Sequence, residues 1–308
     1  MVILRALNVL ALLVMPLVLT GLVNRVKSLW SGRKGPPLVQ LAYDLLRLLR
    51  KVSVYSSTTT PVFRIAPWVF LVTAFGSAVV TPLLGAGSLV SFPFDFVWFA
   101  YVWALGRVAT MLAALDTGSS FEGMGAAREA LFSSLLEPVL FLAMGALSLS
   151  SGARTLSTLL VPHVSAGNGS GLVRLCSVIA LFVVLQVESA RMPVDDPATH
   201  LELTMVHEVM ILDHSGPDLA AIQLGSAIKL YVGAAILATL LNPWAGAGTA
   251  VSASVNFGLC LLVAVAIGTC ESLIARLKLR AVPVYIAIAL ASAAVALLAT
   301  AWRAGGGP

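Results

Sequence analysis

The sequence is short of charge. Acidic and basic side chains together make up 11% of its 308 residues, less than half of the roughly 25% usual in a soluble domain, so an ordinary water-soluble fold is excluded. Cysteine is scarce as well. Cys176, Cys260 and Cys270 all fall inside apolar runs without C-x-x-C spacing, so this chain builds neither an iron–sulfur cluster nor a zinc ribbon. None of the four histidines falls within an apolar run long enough to span a bilayer, which removes a transmembrane bis-histidine haem. No serine or cysteine stands beside a base in a nucleophile motif. The glycine-rich stretch 116–128, read as a loop, lacks the G-x-x-x-x-G-K-S/T pattern of a phosphate loop.

What is there is hydrocarbon. Apolar runs of about 20 residues, the length that crosses a bilayer, occur at about 3–23, 62–84, 93–115, 129–150, 172–190, 219–241, 251–274 and 282–302. The fold class is therefore an all-α polytopic membrane protein, a single membrane domain over 1–308 with eight transmembrane helices. The first run is too long for a signal-peptide core, and its basic cluster follows it, so it reads as a retained span. Most lysines and arginines fall on one face of this arrangement; only Arg5, Arg154, Arg174 and Arg303 fall on the other. By the positive-inside rule both termini lie outside and the loop 191–218 is cytoplasmic. The sequence pI near 9.4 thus reports topology and not a nucleic-acid partner.

A second kind of helix is expected at 36–52. Gly35-Pro36-Pro37 sets its start; Leu38, Leu41, Leu45, Leu48, Leu49 and Val52 make one apolar face, and Gln40, Asp44, Arg47 and Lys51 the opposite one. Such an amphipathic helix is expected to lie in the membrane interface, and the plainest reading is a basic helix that only sets orientation.

Ionisable groups concentrate in one connection. Residues 188–218 hold seven of the fourteen carboxylates (Glu188, Asp195, Asp196, Glu202, Glu208, Asp213, Asp218) and three of the four histidines. Pro193 and Pro197 stop the preceding span, and Gly216-Pro217 punctuates the far end. Between them Ala198–Asp213 is expected to form a short helix with His200, His207 and His214 on one stripe. A seven-residue spacing separates successive histidines by about 10 Å, too far for one ion, and His207-Glu208 lacks the second histidine of H-E-x-x-H, which would fall at Ile211. A metal site is therefore disfavoured.

Three charges interrupt the spans themselves: Arg107, Glu137 and Lys229. A charge at mid-helix costs about 2.5–3.5 kcal/mol on insertion scales, so these residues are expected to face helices or water. Glu137 pairs with Arg107 or Arg128, or works as a functional carboxylate. Lys229 snorkels, carries a proton, or pairs, with Glu137 or Glu188 as the favoured partner. A line of protonatable groups then runs from the loop (Asp195, Glu202, Asp213, Asp218) through Glu188 to a buried Glu137, flanked by Arg107 and Lys229.

The run Glu188-x-x-Arg191-x-Pro193-x-Asp195-x-Pro197, followed by Glu202, resembles the long cytoplasmic loop of the family that includes subunit 1 of respiratory complex I. The fuller run 193–208 is more similar to one branch, the membrane subunits of formate hydrogenlyase and related membrane-bound nickel–iron hydrogenases. Gln40, Asp44 and Arg47, and Arg128 with Glu137 nine residues later, keep the family's spacing too.

The resemblance implies a subunit in a prokaryotic plasma membrane that seats a peripheral arm. That arm comprises hydrogenase large and small subunits and an iron–sulfur subunit, beside antiporter-like membrane subunits. The nickel–iron centre and iron–sulfur clusters would sit in those partners, with no redox cofactor or metal here. Arg128, Arg191, Asp195, Asp196, His200, His207, Glu208, His214 and Asp218 would form the docking region, and Arg107, Glu137, Glu188, Glu202, Asp213 and Lys229 a proton pathway. Ala198 and His200 stand where complex I subunit 1 carries acidic residues, which favours the hydrogenase branch over a quinone-linked one. A quinone-site subunit of complex I and a stand-alone cation/proton transporter are the alternatives.

Overall fold

The computed structural model describes residues 2–85, 87–161, 170–195, 205–245 and 248–304. Among them the chain is helical, with no strand: α1 (Val2–Trp30), α2 (Gln40–Leu49), α3 (Pro61–Val80), α4 (Asp95–Asp116), α5 (Ser120–Ser151), α6 (Leu156–Leu159), α7 (Ser170–Glu188), α8 (Gly216–Leu241), α9 (Thr249–Leu273) and α10 (Val282–Ala304). Eight of these, all but α2 and α6, are long and apolar enough to cross a membrane. The chain is a multi-pass membrane protein.

One helix organises the others. In α8, 83% of the most apolar stretch is buried, against at most 50% in any other span. Small residues make this possible: a Cβ added at Gly225 would lie 2.7 Å from the Phe70 ring of α3, so glycine lets the two helices approach closely. A helix so enclosed has little lipid-facing surface, and a charge placed on it meets protein first.

The two ends of the bundle differ in chemistry. At the far end from the 188–218 segment, buried neutral groups satisfy carbonyls that the end of α3 leaves free. Tyr231 Oη and Asn256 Nδ2 donate to Leu83 O at 3.4 and 3.2 Å, and Thr239 Oγ1 donates to Pro82 O at 3.3 Å. At the loop end most of the buried polar groups are charged, whereas at the far end the fully buried carboxylate is Asp95, which accepts the Leu156 N–H.

Three boundaries depart from the sequence expectation. Helix α5 begins at Ser120, not 129, so most of the glycine-rich stretch is helical. One of its glycines serves packing: a Cβ on Gly125 would lie 2.4 Å from Val209 and 3.0 Å from Val206 O, and glycine admits the 206–210 segment against the helix. Gly216-Pro217 opens α8 instead of preceding it, with Pro217 in the first turn where its missing N–H costs nothing. The helix expected over Ala198–Asp213 is, within residues 205–213, a single 3-10 turn, Glu208–Ile211. Its geometry is set by tertiary ties described below, and His207 and His214 do not share a helix; His200 lies outside the described residues.

Helix α2 is also shorter than 36–52, and its apolar face is spent differently. Leu45 is buried and Leu41 and Leu48 are half-buried toward the bundle, whereas Leu49 and Val52 are exposed. Part of the face expected to rest on the membrane, Leu41, Leu45 and Leu48, packs on the protein.

Candidate functional site

The segment after α7 is held by buried ion pairs. Asp195 is almost wholly buried. Its Oδ2 accepts the backbone N–H groups of Val206 and His207, both at 3.0 Å, and its Oδ1 accepts from Arg276 Nη2 at 3.1 Å. Arg191 Nη1 meets Glu271 Oε1 at 3.4 Å, and Lys27 Nζ lies 3.7 Å from Glu271 Oε2. Leu277 N–H donates to Pro193 O at 2.9 Å, so the residues just past α9 grip the start of the loop. Arg128 Nη1 donates to Met205 O at 2.8 Å, and Glu122 accepts the Asp213 N–H at 3.1 Å, so α5 grips its return. Removing one partner of a buried pair leaves an uncompensated charge, so each of these ties fixes geometry.

The segment ends on α3 and α8. The His214 imidazole stacks on the Phe63 ring at 4.0 Å, nearly parallel, and burial pushes its pKa down to about 4 against the opposing pull of Asp218 and Asp213. Asp218 accepts from Tyr55 Oη at 2.6 Å and from Trp68 Nε1 at 3.2 Å. The Tyr55 pKa is raised, first by that bond to the carboxylate and then by burial.

Behind the segment lies a cavity of about 270 Å³, walled by Asn24 of α1, Asp44 of α2, Glu188 and Arg191 at the end of α7, His207, and Gln223 of α8. Burial pushes the His207 pKa down, opposed by Glu208 and Asp195. At the cavity's inner wall, Glu188, whose side chain is 5% exposed, pairs with Arg107 Nη1. Lys229 Nζ lies 3.9 Å from its other oxygen, donates to Trp103 O at 3.3 Å and sits over the Phe70 ring at 4.8 Å, a cation–π placement that helps to offset desolvation. Arg107 Nη2 also holds Glu137 Oε1 at 2.7 Å.

A second, narrow cleft of about 20 Å³ lies between α4, α5 and α7, lined by Arg107, Glu137 and Glu188. It has room for about one water. Glu188 therefore lines both spaces, one open toward the loop and one toward the flank of the bundle.

The structure thus brings Arg107, Glu137, Glu188 and Lys229 together and leaves other expected members apart. Glu137, expected to be buried, has a side chain 47% exposed on the flank of α5, because Arg107 reaches outward to it. Lys229 pairs with Glu188, the second of its two favoured partners. Asp213 is exposed beside α5, and Asp218 is tied to Tyr55 and Trp68; neither wall of the Glu188 cavity includes them. Within the docking region, Arg191, Asp195, His214 and Asp218 are buried and bonded to this chain, while Glu208 is half-buried on the cavity wall. Asp196, His200 and Glu202 lie outside the described residues. On α2, Gln40 Nε2 donates to Asp44 at 3.0 Å, Asp44 faces the cavity, and Arg47 points outward.

Sequence reasoning missed Glu129. It lies within electrostatic reach of Arg107, Glu188 and Lys229, and Ser133 Oγ donates to its backbone O at 2.6 Å. The signal available was its place eight residues before Glu137, about two turns along one helix, hidden because the glycines before 129 read as loop. The pairs Arg276–Asp195 and Tyr55–Asp218 were missed because nothing local announces contacts between such distant residues.

Comparison with known proteins agrees with this architecture. The family model described as NADH dehydrogenase matches residues 3–301. Hydrogenase-4 component C of Escherichia coli is 28% identical over 236 residues, covering 77% of this chain and 73% of that protein. Formate hydrogenlyase subunit 4 of Escherichia coli is 26% identical over 273 residues, covering 86% and 87%. An NADH-quinone oxidoreductase subunit of Methylococcus capsulatus is 23% identical over 231 residues, covering 72% of each. In fold, the chain is similar to one in the structure of the membrane-bound sulfane sulfur reductase, an archaeal respiratory membrane complex, with a TM-score of 0.82 at 18% identity over 97% of this chain and 98% of that one. With eight spanning helices and a family match over nearly its whole length, the chain belongs to the NADH dehydrogenase family.

Proposed function

We propose that this chain, a membrane subunit of a respiratory-type membrane complex, seats a peripheral nickel–iron hydrogenase arm of the formate hydrogenlyase type and couples its electron transfer to proton movement. The observation that carries the reading is Glu188, a carboxylate common to the loop-side cavity and to the flank cleft, with Arg107 passing from it to Glu137. A proton bound at Glu188 weakens its hold on Arg107, and the guanidinium then favours Glu137; deprotonation reverses this. The cycle needs no redox centre in this chain. A change of charge at a docked partner is felt through the cavity by His207 and Glu188, in surroundings where screening is weak.

In this reading the loop end faces the cytoplasm of a prokaryotic cell, by the distribution of basic residues, and the iron–sulfur clusters and nickel–iron centre belong to partner subunits. Antiporter-like membrane subunits would meet the flank where Glu137 emerges. The buried ties of Arg191, Asp195 and Arg128 hold the two described ends of the loop, at 191–195 and 205–214, against the bundle. Asp196, His200, Glu202 and Asp213 are the candidates for contact with the arm.

A quinone-site reading draws on the same cavity, which opens beneath α2. Its size lies below the roughly 300–1,000 Å³ of typical small-molecule pockets, and those are mostly apolar, whereas Asn24, Asp44, Glu188, Arg191, His207 and Gln223 suit water and protons. The relatives with the higher identities are the two hydrogenase-type subunits. Purification of the chain from native membranes in mild detergent, with mass spectrometry of its companions and assays of hydrogen evolution and quinone reduction, tests the assignment. Hydrogenase subunits with hydrogen evolution are expected. NADH dehydrogenase subunits with quinone reduction would move the assignment to a quinone-linked complex, and a chain that purifies alone and transports cations would replace both.

A further inference from the structure

The outward face of α2 and the residues after it carry an unusual pairing of exposed apolar and cationic groups. Tyr43, Leu46 and Leu49 are more than half exposed, Val52 is 84% exposed and Val54 is exposed as well. Interleaved with them are Arg47, whose side chain is 74% exposed, Arg50 and Lys51. The nearby carboxylate, Asp44, is held by Gln40 and turned to the cavity, with Arg47 only at 3.7 Å, so the outward charge is positive.

The next spanning helix carries exposed apolar groups as well. Val62, Ile65, Trp68 and Val72 of α3 are exposed at helical spacing, as expected of a lipid-facing stripe. At its loop-end limit the Arg64 guanidinium lies over the Tyr55 ring at 4.5 Å. Aromatic rings and arginines at the end of an apolar stripe mark the depth of the headgroups.

We propose that residues 43–54 form a binding surface for anionic phospholipid. Leu46, Leu49, Val52 and Val54 enter the acyl boundary, and Arg47, Arg50 and Lys51 meet headgroup phosphates, with their stems lying along apolar surface. The inference rests on the placement of this end of the bundle at a cytoplasmic membrane surface. It goes beyond an amphipathic helix resting in the interface, because Leu41, Leu45 and Leu48 are used by the bundle and the lipid contact falls to Leu46, Leu49, Val52 and the cations beside them. Arginine suits the role because its planar fork bonds phosphate bidentately.

Two measurements on the full chain test it. With p-benzoylphenylalanine in place of Leu46 in native membranes, irradiation should attach phospholipid; attachment to a soluble protein would make this face part of the docking surface and overturn the proposal. In nanodiscs of phosphatidylcholine with a minor fraction of spin-labelled phosphatidylglycerol, the preference for the anionic lipid should fall about fivefold or more in Arg47→Gln/Arg50→Gln/Lys51→Gln. Arg47→Lys/Arg50→Lys should keep most of it. Equal preference in wild type and the glutamine variant would overturn the proposal, as would a loss equally large in the lysine variant, which traces the effect to folding. The companions found on purification do not enter either readout, so lipid preference and membership of a hydrogenase complex fail separately.

Discussion

Glu188 and Glu271 lie at the same end of the bundle, and each stands within ion-pair distance of two cations. Their surroundings differ. The Glu271 side chain is fully enclosed, and its cations, Lys27 and Arg191, join α1 and the start of the loop to the end of α9. Glu188 borders two spaces, and its arginine is shared with a second carboxylate at the surface. The same residue types therefore do opposite work. An enclosed, unshared pair is costly to ionise and costly to break, so it fixes a structure. A shared pair with room for water can exchange one partner for another, so it can change state.

That contrast is sharpened by breaking each side of it. The largest loss of stability is expected for Glu271→Gln, which removes the buried partner of Arg191. A cost of about 3–5 kcal/mol is typical of a broken buried pair, seen as a lowered unfolding temperature in detergent and poor recovery of the assembled complex. If that variant were as stable as wild type, the loop would be held by other ties and the contrast would collapse.

The next effect is one of pH. His214 has a pKa of about 4 in the folded chain, below the roughly 6.5 of a free histidine. The unfolded chain binds the proton more readily, so this contribution is whole above about pH 6.5 and is lost as pH falls from there toward 4. Thermal unfolding followed across that range should show the decline, and His214→Phe, which keeps the stack on Phe63, should flatten it. Trp68→Phe removes one hydrogen bond to Asp218 and should cost about 1–3 kcal/mol, toward the upper end because the acceptor is charged; Tyr55 remains to hold the carboxylate. Glu137→Gln should change stability least, within about 1 kcal/mol, because its carboxylate is half exposed, while still impairing proton movement. That separation of stability from coupling is what distinguishes the Glu188 side from the Glu271 side.

Much of this was legible in the sequence, and the rest was hidden for physical reasons. Eight spans follow from length and apolarity, which the bilayer imposes on any crossing segment. Arg107 and Lys229 stood out because charge is so scarce around them, and the pairing of Lys229 with Glu188 was within reach on depth alone. The start of α5 was not, since Gly118, Gly123 and Gly125 read together as loop, and only the approach of Val209 shows why glycine stands at 125. Nor was the face of α2 legible. Leu41, Leu45 and Leu48 show that it is amphipathic, but only packing decides that they serve the protein and leave Leu46, Leu49 and the arginines outward. Most of the loop's ionisable groups looked like a docking surface because their spacing carries no sign of burial; Asp195 and His214 turn inward to partners at Arg276 and Phe63.

The central claim is that Glu188 couples two spaces by exchanging its hold on Arg107. It is tested most directly by reconstituting the complex with Glu188→Gln in proteoliposomes and recording enzyme turnover and internal pH together. The account predicts an assembled complex whose peripheral arm still turns over while proton movement falls to background. A variant that moves as many protons per turnover as wild type would contradict it.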